Sequence, residues 1–404
     1  MSRLITVGFE QQSYTSEGML VYNHTGAFTD SVSRGGSYSC RFNSLSSGTK
    51  KAVYFGHDGS AGDFYIRFYL RVDTAPSADN MIFFLGEGNL DFADRDISVK
   101  LSSGRQLGLY YNTSTQIGSS SSALTIGEWY RIEVRYNNSP SAGSEIAELK
   151  VDGESVASSS SLTLGTGIYT IAFGGNLIGE SQTQGDWYFD DVAVNSSAGS
   201  YQTGYPGEGA VIVLRPNASG DNNTLQKTDG SAGDSNNYTL VDEIPLNTTD
   251  YVKTSSSPEV TGVDDYNVDN SGLTSEEITL VAVNAYVKCS NDDYYSYLRI
   301  KPSASGTVLE GSNITTTYGD WQINSVNQYY LKTPLLTSYV KPGTSNAWTP
   351  PDIDSMQIGL RHTAFGVEVQ MSTIWAVVEY IPSPDTESGP VLNKAYPLPP
   401  SGRA

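Results

Sequence analysis

The segment Phe64-Tyr-Ile-Arg-Phe-Tyr-Leu-Arg-Val72 decides the fold class. Phe64, Ile66, Phe68, Leu70 and Val72 fall on one side of an extended chain, and Tyr65, Arg67, Tyr69 and Arg71 on the other. A period of two is the signature of a strand with one dry and one wet face. Working outward, Met81–Leu85 is a short apolar run, Asp96–Leu101 and Glu128–Tyr136 alternate again, and Leu107–Tyr111, Ala147–Val151, Ile168–Gly174 and Trp187–Val194 complete the strand series. Asp152-Gly153 adds a hairpin signal. Many short strands between Gly, Ser and Asn turns, with no helical period, predict a sandwich and not a βαβ fold.

The small, polar stretch 201–209 reads as a linker between residues 1–200 and a second strand series over 210–382. In that series Thr279–Lys288 and Thr373–Ile381 are long and apolar enough to be central. The acidic stretch between Asn217 and Asn270 carries few strand signals and is expected to be inter-strand loop. Residues 383–404, with Pro-Ser-Pro near their start and Leu398-Pro-Pro400 near their end, read as an extended tail. The expectation is an all-β chain: two β-sandwich (jelly-roll) domains in tandem, followed by that tail.

Charge narrows the partners. With 24 Lys and Arg against 44 Asp and Glu, the formal net charge of −20 repels phosphate backbones and anionic headgroups. Nucleic acid and membrane insertion are therefore not expected, and no run approaches the roughly 18 apolar residues of a spanning helix. The two cysteines, Cys40 and Cys289, fall in different domains and read as buried small hydrophobes. The opening Met-Ser-Arg-Leu-Ile-Thr-Val has neither a basic region nor a long apolar one, so no signal peptide is read.

Four pieces in order give the first half a family likeness: the Phe64–Val72 strand, Gly127-Glu-Trp-Tyr-Arg-Ile-Glu-Val, Ala147-Glu-Leu-Lys-Val-Asp-Gly, and Trp187-Tyr-Phe-Asp-Asp-Val-Ala-Val. They resemble the concanavalin-A-like, laminin-G-like jelly-roll family. The likeness implies a sheet scaffold on which glycan binding is common, without establishing activity. The second half resembles the C-terminal sandwich of uncharacterised tailed-phage structural proteins. The resembling residues are Val241-Asp-Glu-Ile-Pro with Tyr251-Val252, the Trp348–Leu360 stretch, and Ser372–Pro382. That resemblance implies a virion component made in a host cytoplasm: a head decoration, head fibre or tail accessory that meets other virion proteins and forms a homo-oligomer, with a trimer favoured. A carbohydrate-binding adhesin is the alternative and a glycoside hydrolase the third.

The candidate residues follow from chemistry. Tyr outnumbers Phe by 27 to 12, which indicates aromatics meant for half-wet positions. Tyr65, Tyr69, Tyr110 and Tyr111 are candidates for stacking sugar rings; packing against the next domain or subunit is the competing role. Asp186, Asp190 and Asp191 are candidate calcium ligands, and Asp91, Asp94 and Asp96 form a second acidic cluster. Asp190 and Asp191, as strand neighbours, are expected to face opposite ways. No other cofactor is implied. Retaining glycosidases need two carboxylates about 5 Å apart, and no Glu-x-Asp-x-x-Glu strand occurs. The three histidines, His24, His57 and His362, lie beside no Gly-x-Ser-x-Gly turn. A non-enzymatic protein is expected.

Overall fold

The computed structural model describes residues 3–383, apart from 15–18, 23–27, 30, 44–50, 58, 87–94, 113, 140, 166, 176–184, 246, 255–260, 290–293, 314–321, 324–335 and 365–367. It is built almost wholly of antiparallel strands, arranged in four sheets. The all-β expectation holds. Residues 384–404, most of the expected tail, lie outside the described residues, as do His24, Asp91 and Asp94.

Two sheets come from the first half. The first runs, edge to edge, through Glu154–Leu162, Glu145–Val151, Trp129–Asn137, Asp63–Thr74, Asp186–Ser196, Ser39–Asn43 and Phe28–Thr29. Arg3–Val7 also pairs with the far end of Asp186–Ser196. The second sheet runs through Thr115–Ile117, Leu107–Tyr111, Arg95–Leu101, Asn80–Gly86, Thr170–Gly175, Lys51–Gly56 and Leu20–Tyr22. Phe68 and Phe189 from the first sheet meet Phe83 and Phe173 from the second, with ring centroids 5.2–5.7 Å apart. Each such ring contributes about 1.5–3 kcal/mol by leaving water. These are the inward positions of the period-two pattern.

The second half gives the other two sheets. Val369–Ile381 and Glu277–Cys289 pair at the centre of the third, flanked by Val252–Lys253, Gln226–Lys227 and Gln322–Ile323. Ala210–Leu214 pairs along Val369–Ile381, and Leu336–Ser338 along Glu277–Cys289. The fourth holds Pro216–Asn223, Thr261–Val268, Gln357–Ala364, Tyr294–Lys301 and Leu309–Glu310. Residues 217–270 are thus not plain loop. Pro216–Asn223 lacks β-formers, yet it pairs with Thr261–Val268 across register shifts. Buried Asn237 ties the intervening turn down by donating to the Asp264 carboxylate at 2.6 Å.

A buried polar seam joins the halves. Glu379, on the outward face of the third sheet, accepts from Arg3 at 2.8 Å and from Arg67 at 2.7 Å, and all three side chains are shut off from solvent. Burial opposes the charge on Glu379, but the two guanidiniums outweigh it and hold the carboxyl at about 2. Gly8 belongs to the same seam, because a Cβ there would lie 3.0 Å from that of Val211.

Candidate functional site

The first sandwich has two outward faces, and the candidate residues divide between them. On the first sheet, Tyr65, Arg67, Tyr69 and Arg71 do point away from the core, as the alternation requires. That face is not wet, however. The chain from Ser197 to Gly209 turns back across it as a strap, and this return is what the sequence reading missed. The Tyr205 hydroxyl donates to Glu148 at 2.7 Å, and its ring packs edge-on against Tyr65 at 5.0 Å. Lys150 sits 3.9 Å from the centre of the Tyr205 ring. The Gly207 amide donates to Glu133 at 2.9 Å. The Tyr69 hydroxyl donates to Glu208 at 2.6 Å, while the Arg34 guanidinium lies 3.4 Å over the Tyr69 ring. Burial pushes the Tyr69 hydroxyl well above its usual range, so it stays a donor. Tyr65 and Tyr69 therefore pack under the returning chain at Tyr205 and Glu208.

The three aspartates do not gather around one point. Asp186 makes a two-pronged pair with Arg41, at 3.0 and 2.6 Å. Asp190 and Asp191 sit at a bulge, where Asp191 takes a φ of 47° and the strand register shifts. Such a bulge breaks the alternation, so both carboxylates reach Arg34 instead of opposite faces. Asp190 accepts the Arg34 amide at 2.8 Å, and Asp191 accepts its guanidinium at 2.9 Å. The other oxygen of Asp191 takes the Val211 amide of the second half, at 2.7 Å. Burial, and then the neighbouring Asp191 charge, push the Asp190 carboxyl well above the usual range. Among the described residues no group of three or more His, Cys, Asp or Glu side chains is placed to hold a metal ion. Asp96 accepts from the buried Tyr136 hydroxyl at 2.8 Å.

The second sheet's outward face is different. Register aligns Leu20, Tyr54, Ala172, Phe84, Ser98, Tyr110 and Gln116 in one row across seven strands. Tyr54, Phe84, Ala172, Ala52 and Met81 form an apolar cluster separate from the core. Beyond it the row grows polar and more open. Tyr110 is half-buried, and a Cβ on Gly108 would meet its ring at 2.9 Å, so the ring lies down over the glycine. Lys100, opposite Gly108 in register, places its ammonium 4.8 Å from the ring centre. Tyr111 points the other way: it packs on the core, and its hydroxyl donates to the Thr163 carbonyl at 2.5 Å. Only Tyr110 of the four candidates belongs to this face. The signal that separates it was the small residue two positions earlier.

In the second half, His362 lies in the core with Nδ1 2.6 Å from the Ser296 hydroxyl. Burial, followed by neighbouring Arg361, lowers its pKa to about 4. No helix among the described residues is long and apolar enough to cross a membrane.

No protein-family model and no curated protein matches the chain. Solved structures do show likeness. The cellulose-induced protein Cip1 is 16% identical, with a TM-score of 0.30, over 47% of this chain and 96% of its own. An alginate lyase, Aly36B, solved as a mutant with an alginate trisaccharide, is 14% identical with a TM-score of 0.35, over 48% and 97%. A Trypanosoma rangeli sialidase is 13% identical with a TM-score of 0.32, over 44% of this chain but only 30% of its own. These are β-sandwich folds of carbohydrate-active proteins, and at such scores the likeness says nothing about residues or chemistry here. The expectation of a non-enzymatic protein is withdrawn, because the similar structures include a lyase and sialidases. No phage likeness appears among them.

Proposed function

We propose that the chain is a carbohydrate-binding β-sandwich protein whose sugar platform is Tyr110 on the outward face of the second sheet. The observation that carries the reading is the Tyr110 ring laid over Gly108 beside the Lys100 ammonium. An aromatic ring held against the sheet can stack on the C–H side of a sugar ring. Lys100 and Gln116 border it with hydrogen-bonding groups, and a few placed polar groups beside an apolar surface are what a ligand site needs. The test is a glycan array probed with the intact chain, followed by titration of the best sugar against Tyr110→Ala. Loss of at least about tenfold in affinity is expected for a site centred on one ring. Full retention would rule this platform out. Reducing-end release, measured on the same samples, reports whether cleavage follows binding.

Display on a virus particle, as a homo-oligomer, is the second reading. The buried Arg3–Glu379–Arg67 seam favours it, since ion pairs between the two halves suit a component that has to hold together on a particle. Native mass from light scattering tests it: a closed trimer supports the reading, and a monomer counts against it.

A further inference from the structure

We infer that Arg131, Arg34 and the Tyr69 hydroxyl form a cradle for the carboxylate of an acidic sugar, which the chain's own Glu208 fills at rest. One oxygen of Glu208 accepts from the Arg131 guanidinium. The other accepts from Tyr69 at 2.6 Å and from Arg34 at 3.3 Å. Arginine donors paired with a hydroxyl suit a carboxylate in shape as well as charge.

The donors and the occupant differ in how they are held. The Arg34 and Arg131 side chains are 10% and 12% exposed, against 47% for Glu208. Both arginines have partners other than Glu208. Arg34 is fixed by Asp191 at 2.9 Å, by the Gly209 carbonyl at 2.8 Å and by the Tyr69 ring. Arg131 has an ion pair with Glu133 at 3.3 Å. The cradle therefore keeps its shape when the Glu208 side chain leaves.

Leaving requires little. The strap's backbone is tied on both sides of Glu208, by Gly207 to Glu133 and Arg67 and by Gly209 to Arg34. Only the side chain has to turn outward, and at 47% exposure it already borders solvent. An incoming carboxylate then meets donors that are already dry and oriented, which spares it the ordering cost. Asp152, exposed at the neighbouring hairpin turn and bonded to the Arg131 amide at 2.8 Å, offers an acceptor for ring hydroxyls. A hexuronate unit supplies both groups.

The inference shares with the carbohydrate reading only the sugar ring, since the cradle lies on the opposite face of the sandwich from Tyr110. The test is calorimetric titration of intact protein with D-glucuronate, with glucose and acetate as controls. Removing an internal competitor raises apparent affinity, so Glu208→Ala should bind glucuronate at least about tenfold more tightly than the unaltered chain. Glu208→Ala combined with Arg131→Gln should lose that gain, while the gain itself should be the same when Glu208→Ala is made in a Tyr110→Ala background. Thermal melting of each variant confirms that it is folded. The inference is overturned if Glu208→Ala binds no more tightly, if the double variant keeps the gain, or if acetate binds as well as glucuronate. Loss of the gain in the Tyr110→Ala background would also overturn it, and would support the Tyr110 platform instead.

Discussion

The two outward faces of the first sandwich carry the same kinds of residue and have opposite fates. Tyr65 and Tyr69 on one and Tyr110 on the other are all tyrosines at outward strand positions beside basic side chains. On the first sheet those side chains are met by Tyr205, Glu208 and Glu379, from the strap and the second half. On the second sheet Tyr110 lies on Gly108 next to Lys100. Alternation says which way a side chain points. What it points at is decided by chain that arrives from far away in sequence.

The sharpest way to break this contrast is to disarm the seam. Glu379→Ala strands two buried guanidiniums, and removing one partner of such a group costs about 3–5 kcal/mol. Urea unfolding should show a loss of that size; Glu379→Gln, which keeps hydrogen-bond acceptance, should lose less. Acid probes the same group. A carboxyl held at about 2 in the fold stabilises it above the unfolded pKa, and that stability is lost as pH falls from roughly 4.3 toward 2. The stability difference between the unaltered chain and Glu379→Gln should shrink over that window.

His362 gives the second half a separate acid response. Its pKa is lowered to about 4, so below the ordinary value the unfolded chain takes up the proton first. Stability contributed by the neutral imidazole is complete above roughly 6.5 and drains away as pH falls toward 4. About 3 kcal/mol is at stake on that shift. Melting curves of His362→Gln should lack this part of the decline.

Smaller effects separate the faces. Tyr205→Phe removes the hydroxyl bonded to Glu148 and should cost about 0.5–1.5 kcal/mol in urea unfolding. Tyr110→Ala removes a half-buried ring outside the core and should change stability least, by roughly 0.5 kcal/mol.

Much of the fold was legible in the sequence. The inward residues of Phe64–Val72 form the core as the period demands, and Asp152-Gly153 makes its turn with both residues at positive φ. The bulge at Asp190 and Asp191 was not legible, because nothing in Tyr-Phe-Asp-Asp-Val marks where the register slips. The strand at Pro216–Asn223 was not legible either. Its residues have low strand propensity, and its pairing comes from the sheet it covers. Nothing beside Glu379 in the sequence marks it as a buried ion-pair partner; Arg3 and Arg67, hundreds of residues earlier, supply the pairing. Of the candidate site, sequence chemistry found Tyr110 but could not separate it from Tyr65, Tyr69 and Tyr111. That separation rests on Gly108 and on the strap.

The account stands or falls on which tyrosine a sugar meets. The direct measurement is the affinity of the intact chain for its best array glycan, compared between Tyr110→Ala and Tyr65→Ala. The account predicts a loss of at least about tenfold for Tyr110→Ala and an unchanged affinity for Tyr65→Ala. Loss with Tyr65→Ala and none with Tyr110→Ala would contradict it.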